Sequence, residues 1–302
     1  MELWIPITIF AAFAQNLRFM LQKHLKATRL TTGGATFSRF VFAAPLALLL
    51  VWVLIGSGLR DWPGVSARFF AFAAIGGLAQ ISATMLVVAL FAERNFTVGI
   101  TLKKTETMQT AILSLIVLGE VVSAWGLIAI AVGLAGVVLL SDPPKGEQPL
   151  KWKARLFNKA SGYGLASGAL FGVSATGYRG ASLALDSGDF LIRAAVTLAI
   201  VTLFQSLVMA LWLRMREVRQ LTAVMRSWRV TALVGLTGVL GSFGWFMAFT
   251  LQNAAYVKAL GQIELVFTFL ASWLVFKEKS SAREISGIAL VVASILVLVL
   301  LL

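Results

Sequence analysis

The stretch 97–118, TVGITLKKTETMQTAILSLIVL, and the stretch 255–276, AYVKALGQIELVFTFLASWLVF, decide the fold. Each has about the 20 mostly apolar residues that a helix needs to cross a bilayer. Yet the first carries Lys103, Lys104, Glu106 and Gln109, and the second carries Lys258, Gln262 and Glu264. A charge near mid-membrane costs at least a few kcal/mol unless it is paired or hydrated. Shifted by 158 positions, the two stretches superimpose without a gap: Leu102 on Leu260, Glu106 on Glu264, Thr110 on Thr268, Ser114 on Ser272. Shared ionisable residues inside apolar segments are hard to obtain by chance, so the chain reads as an internal duplication.

The register extends outward. Phe91 meets Phe249, Asn95 meets Asn253, Glu120 meets Glu278, and Ser123-Ala124 meets Ser281-Ala282. Farther out Phe13 pairs with Phe171 at the same offset, and Arg39 pairs with Arg193 at 154, after a gap of four. Ten segments qualify as spans: 3–22, 34–55, 69–91, 97–118, 123–140, 161–180, 189–213, 230–250, 255–276 and 283–302. The polar, proline-rich stretch 142–159, DPPKGEQPLKWKARLFNK, divides them into a first repeat, 1–141, and a second, 160–302. Because five crossings is an odd number, the second copy enters the bilayer from the opposite face. The expected fold class is therefore an all-α polytopic membrane protein of ten transmembrane helices, arranged as two inverted-topology five-helix repeats.

Composition agrees. Of 302 residues 59% are hydrophobic and 13% charged, and the mean hydropathy is +0.89. A soluble protein has roughly twice that charged fraction. The net charge of +13 has a topological origin. If the face where helix 1 begins is side A, that side receives Arg60, Arg68 and Arg179. Side B receives seventeen basic residues, in the clusters 23–29, 94, 145–159, 214–229 and 277–283. Basic loops stay cytoplasmic, so side B is expected in the cytosol and both termini outside it. In a Gram-negative cell this is an inner-membrane protein with periplasmic termini. No nucleic-acid partner is expected; the basic loops meet membrane lipids instead. The first span lacks a basic leader and its positive charges follow it, so it reads as a span and not as a signal peptide.

The absence of cysteine and the single histidine, His24, exclude thiolate metal sites, a cysteine nucleophile and any histidine pair. All four aspartates, Asp61, Asp142, Asp186 and Asp189, fall in loops, which removes an aspartyl intramembrane enzyme. No cofactor is expected, and the chain is read as no enzyme.

Several motifs carry a family resemblance. Leu118-Gly119-Glu120-Val121-Val122-Ser123 is followed by Gly133 and Gly136, and Phe276-Lys277-Glu278-Lys279-Ser280-Ser281 by Gly287. Arginines open helices 2 and 7 in Ser38-Arg39-Phe40 and Ile192-Arg193-Ala194. The pattern resembles the drug/metabolite transporter superfamily in its ten-helix form with two EamA-type repeats. The Trp-Gly start of helices 1 and 6 is altered here to Phe13-Ala14 and Phe171-Gly172, and the second copy lacks the Gly at 277. The resemblance implies a secondary exporter of small metabolites, amino acids above all and aromatic ones among them, working by alternating access. Carriers of cationic drugs, sugars or phosphate esters share the superfamily, and a channel-like facilitator is the other reading.

The residues expected to bind substrate or line a central cavity are Asn16, Arg39, Gln80, Thr84, Glu106, Tyr178, Arg193, Trp245, Gln262 and Glu264. Glu106 could carry a coupled proton or sit in a permanent ion pair with Lys103 or Lys104. Arg39 could hold a substrate carboxylate or tie helix 2 to a loop or headgroup. Tyr178, Trp245 and Tyr256 could stack on a substrate or simply pack. Glu120 and Glu278 are expected to serve helix ends, with Ser123 and Ser281 as N-caps. Trp4, Trp52, Trp62, Trp125, Trp212 and Trp228 are expected at the interfaces. Pro45 should kink helix 2, and Gly235, Gly238, Gly241 and Gly244 should form a close-packing stripe on helix 8.

Overall fold

The computed structural model describes residues 2–28, 30–93, 96–140, 158–187, 189–274 and 281–301. Arg29, Arg94, Asn95, most of the linker and the segment holding Lys277, Glu278 and Lys279 lie outside these residues. The described residues form fourteen helices and no strand. They are α1 (Trp4–Thr28), α2 (Thr32–Val41), α3 (Ala43–Gly56), α4 (Ala67–Leu90), α5 (Phe96–Lys103), α6 (Glu106–Leu118) and α7 (Ala124–Leu140) in the first half. The second half has α8 (Lys159–Leu183), α9 (Phe190–Arg216), α10 (Val218–Arg226), α11 (Trp228–Leu251), α12 (Ala254–Leu260), α13 (Ile263–Leu274) and α14 (Ala282–Leu301).

Among the described residues six stretches are long and apolar enough to cross a membrane: Trp4–Ala27, Thr32–Gly56, Ala67–Leu90, Phe190–Arg216, Trp228–Leu251 and Ala282–Leu301. Ala124–Leu140 is apolar but shorter. The outside of the bundle is greasy, with Ile116 74%, Leu207 63% and Leu300 73% exposed, while Arg18, Arg39 and Glu106 are buried. That inverts the soluble pattern and suits lipid around a polar interior. The chain is a polytopic all-helical membrane protein.

Three expected spans are broken, for different reasons. In 34–55 the break falls at Phe42, between α2 and α3. Pro45 has no N–H for the carbonyl four residues back, that of Val41, and its ring crowds that carbonyl. In 97–118 and 255–276 no proline is involved. The Lys104 N–H bonds the Thr101 carbonyl at 2.9 Å, and the Gln262 N–H bonds the Ala259 carbonyl at 3.2 Å. These are the same three-residue bond, 158 positions apart. Each replaces the four-residue bond of an α-helix and leaves a new helix start beyond it. Glu106 and Glu264 stand in the first turns of those new helices, α6 and α13. A carboxylate there meets the positive end of the helix dipole.

The long helices pack in pairs, α1 along α11, α4 along α8, and α7 along α14. Small residues permit this. A Cβ on Gly244 would fall 2.8 Å from the Ala11 Cβ, and one on Gly177 would fall 3.0 Å from the Gly76 Cα. The glycine stripe of α11 thus lies against α1 from Gly238 to Gly244, with Gly235 against Phe42. It runs antiparallel, with Gly244 at Ala11, Gly241 at Gln15 and Gly238 at Arg18.

Local signals behave as their chemistry requires. Ser123 Oγ accepts from the Gly126 N–H at 3.1 Å, and Ser281 Oγ from the Glu284 N–H at 3.2 Å. Glu284 accepts in return from the Ser281 N–H at 2.7 Å, which closes a capping box. Trp52, Trp62, Trp125 and Trp228 are exposed, whereas Trp4 is buried, because its ring packs in the main apolar core instead of the interface. One element was not anticipated: α10, a short helix between expected spans 7 and 8 whose Val224 is buried.

Candidate functional site

The two broken helices run antiparallel and meet in the middle of the bundle. Glu106, at the start of α6, receives Lys103 at 3.1 Å and Lys258 of α12 at 2.5 Å. Glu264, at the start of α13, receives Lys104 and the Gln15 amide at 3.4 Å. Two of the three ion pairs therefore cross between the halves of the chain. The Gln262 amide donates to Thr107 Oγ1 at 3.0 Å, a third link across the same seam. All five charged side chains are at most 15% exposed. Such pairs are costly to bury and costlier to break, because the surviving partner would be left alone in low dielectric.

A second polar cluster adjoins the first. Arg39 donates to Thr84 Oγ1 at 3.1 Å and to Ser242 Oγ at 3.3 Å. Its protein partners are the hydroxyls of Thr84 and Ser242, neither of them on a loop. Tyr178 stacks on Phe246 at 4.4 Å and donates to Gln80 Oε1 at 3.0 Å. The Gln205 amide donates to the same Gln80 oxygen at 3.0 Å and to the Tyr178 hydroxyl at 3.1 Å.

Three cavities follow one another through these clusters. A cavity of about 310 Å³ is lined by Asn16, Phe19, Lys23, Lys103, Lys104 and Glu264 among others. It borders a small space of about 20 Å³ through Lys103, Lys104 and Glu264; Glu106, Gln262, Trp245 and Lys258 also wall that space. A second small space of about 20 Å³ shares Gln15, Trp245 and Lys258 with it and adds Gln80, Tyr178 and Ser242. Each small space has room for about one water.

Beyond them the bundle is knit shut. Arg179, at the end of α8, donates to Glu120 at 2.5 Å, to the Phe249 carbonyl at 2.6 Å and to the Gln252 carbonyl at 2.7 Å. Because α11 runs antiparallel to α1, this is the end at which α1 begins. Tyr256 accepts the Ser123 N–H at 2.8 Å near the same end. Glu120 thus clasps an arginine instead of serving a helix end. Tyr256 caps a loop and borders none of these cavities.

Of the ten residues expected from sequence, Asn16, Gln80, Glu106, Tyr178, Trp245, Gln262 and Glu264 border the row of cavities, whereas Arg39 and Thr84 line none of them and stand behind Ser242, to which Arg39 donates. Arg193 does not join them; it sits in the first turn of α9 and borders none of the three. Lys104 pairs with Glu264, not with Glu106. Lys258 is the central residue that the sequence reading left off its site. Its signal was available, since Lys258, Gln262 and Glu264 are the polar residues of one apolar stretch.

Comparison with known proteins fits this geometry. No curated protein matches the chain. A solved crystal structure aligns over 99% of this chain and 96% of its own, with a TM-score of 0.72 and 14% sequence identity, a likeness of fold. Residues 160–300 match the model of the EamA-like transporter family. The likeness to the EamA-like transporter family therefore lies in the second half of the chain.

Proposed function

We propose that the chain is a secondary transporter that exports small metabolites, amino acids including aromatic ones, by alternating access between two inverted five-helix repeats. One observation carries this reading. Both breaks fall at matched positions, and the ion pairs at the breaks cross from one half to the other. Discontinuous helices that expose polar groups at mid-depth are how transporter folds build central sites. The packing supports it as well, since the pairs α1–α11 and α4–α8 exchange under the same shift of 158.

In this reading side B is cytoplasmic and both termini face away from the cytosol. Substrate enters through the 310 Å³ cavity, passes Lys103 and Lys104, and reaches the small spaces beside Trp245 and Tyr178. Release on side A requires Arg179 to leave Glu120 and the two carbonyls. Substrate shifts the balance only by its differential affinity for the two states.

Counterflow in proteoliposomes tests the proposal. Internal unlabelled amino acid should accelerate uptake of the labelled one, as a carrier requires. Equal rates with and without internal substrate would mean a pore, and no flux at all would remove the transport reading.

A further inference from the structure

The ammonium of Lys258 lies 4.8 Å from the ring centre of Trp245 and 5.7 Å from those of Phe171 and Phe249. Three rings around an ammonium is the arrangement by which proteins hold methylated and quaternary amines. Here the cation in the cage belongs to the chain itself, steadied by Glu106 at 2.5 Å. Lys258 and Trp245 both border the two small spaces inward of the 310 Å³ cavity, so the cage stands on the substrate's path and receives it once those one-water spaces widen. The Nε1–H of Trp245 is buried and donates to no atom of the protein. A buried donor without an acceptor is costly, and a ligand oxygen would satisfy it.

The charge balance points the same way. Among the described residues at the core of the bundle, Arg18, Arg39, Lys103, Lys104 and Lys258 supply cations, while Glu106 and Glu264 supply the carboxylates. Arg39 rests on hydroxyls, and Arg18 donates to the Gln22 amide oxygen at 2.5 Å. A low-dielectric space with cations in excess attracts anions and repels cations.

We propose that this site selects substrates that carry a carboxylate on an aromatic or apolar body and rejects cations, with Lys258 as the residue that sets the sign. The proposal rests on the transport reading above and narrows it. The carboxylate docks between the Lys258 ammonium and the Trp245 Nε1–H, and the body of the substrate packs on Phe171, Tyr178 and Phe249. A substrate ammonium has to compete with Lys103 and Lys258 for Glu106. A substrate carboxylate has no such competitor at Trp245. A lone cation finds its cage already filled.

Three indoles of different charge test this on the purified protein: indole-3-acetate, tryptophan and tryptamine. Equilibrium binding should follow that order, with indole-3-acetate tighter than tryptamine by about tenfold or more. Lys258→Gln should empty the cage and erase or invert the preference, while Lys258→Arg should keep it. Tryptamine binding as tightly as indole-3-acetate to the unaltered protein overturns the proposal. So does an unchanged ratio in Lys258→Gln, and so does failure of all three indoles to bind. Should Lys258→Gln not fold, the unaltered protein and Lys258→Arg carry the test alone. Counterflow on the same preparations separates this from the transport reading. Binding in the expected order without trans-stimulated flux removes transport and leaves charge selection. Trans-stimulated flux of tryptamine in preference to the anion does the reverse.

Discussion

The two ends of the bundle are built differently. Where α1 begins, directional polar bonds close the structure: Arg179 clasps Glu120 and two carbonyls, and Tyr256 holds the Ser123 N–H. At the other end lies a cavity of about 310 Å³ lined by Lys23, Phe19 and Ile100. The proposed duplication would let each end borrow the chemistry of the other, but it extends to only part of the clasp: Glu120 has a counterpart in Glu278, and its arginine has none. Under the shift of 158, Arg179 falls on Leu21 and Tyr256 on Val98. Closing the wide end therefore cannot copy the arginine clasp that closes the narrow one.

What the ends share is the charge knot between them, so breaking it should have the largest effect. Glu106→Gln leaves Lys103 and Lys258 buried without their carboxylate. Losing one partner of a buried pair costs about 3–5 kcal/mol. Counterflow should fall about a hundredfold or more, and thermal unfolding of the purified protein should shift downward. Flux that keeps its pH response in this variant would exclude Glu106 as a proton carrier.

The clasp comes next. Because the chain has no cysteine, single cysteines report accessibility without background. Ser174→Cys borders the innermost small space and should react slowly with a membrane-impermeant thiol reagent added from side A. Adding Arg179→Gln removes a charge-assisted bond and two bonds to carbonyls, so side-A labelling should rise about tenfold or more. Asn16→Cys, in the wide cavity, should label readily from side B in both backgrounds. No gain at Ser174→Cys would mean that the narrow end is held by packing and that the contrast between the ends is not electrostatic.

Much of this was legible in the sequence, because hydropathy and charge are additive along the chain. Spans, polar stripe and the Glu106–Glu264 match needed only residue type and spacing. The breaks at Lys104 and Gln262 were not legible, since a window average cannot see one exchanged backbone bond. The partners of Arg39 were hidden for another reason. Thr84 and Ser242 come from α4 and α11, and nothing in Ser38-Arg39-Phe40 indicates which hydroxyls will be near. The same holds for Lys258, whose cage needs Phe171 from α8 and Trp245 and Phe249 from α11. Residue chemistry was readable, and long-range pairing was not.

The smallest test concerns Tyr256, a residue read as either stacking on substrate or packing, and found holding a loop. Its hydroxyl accepts the backbone N–H of Ser123, whose own side chain caps α7. Tyr256→Phe keeps the ring against Gly126 and removes only that acceptor. One neutral hydrogen bond is worth about 1 kcal/mol. Side-A labelling of Ser174→Cys should therefore rise by about fivefold at most, and the affinity for an indole substrate should not change. A large loss of affinity would return Tyr256 to the binding site. A rise in labelling equal to that of Arg179→Gln would show instead that the clasp acts as one cooperative unit, with the hydroxyl and the guanidinium failing together.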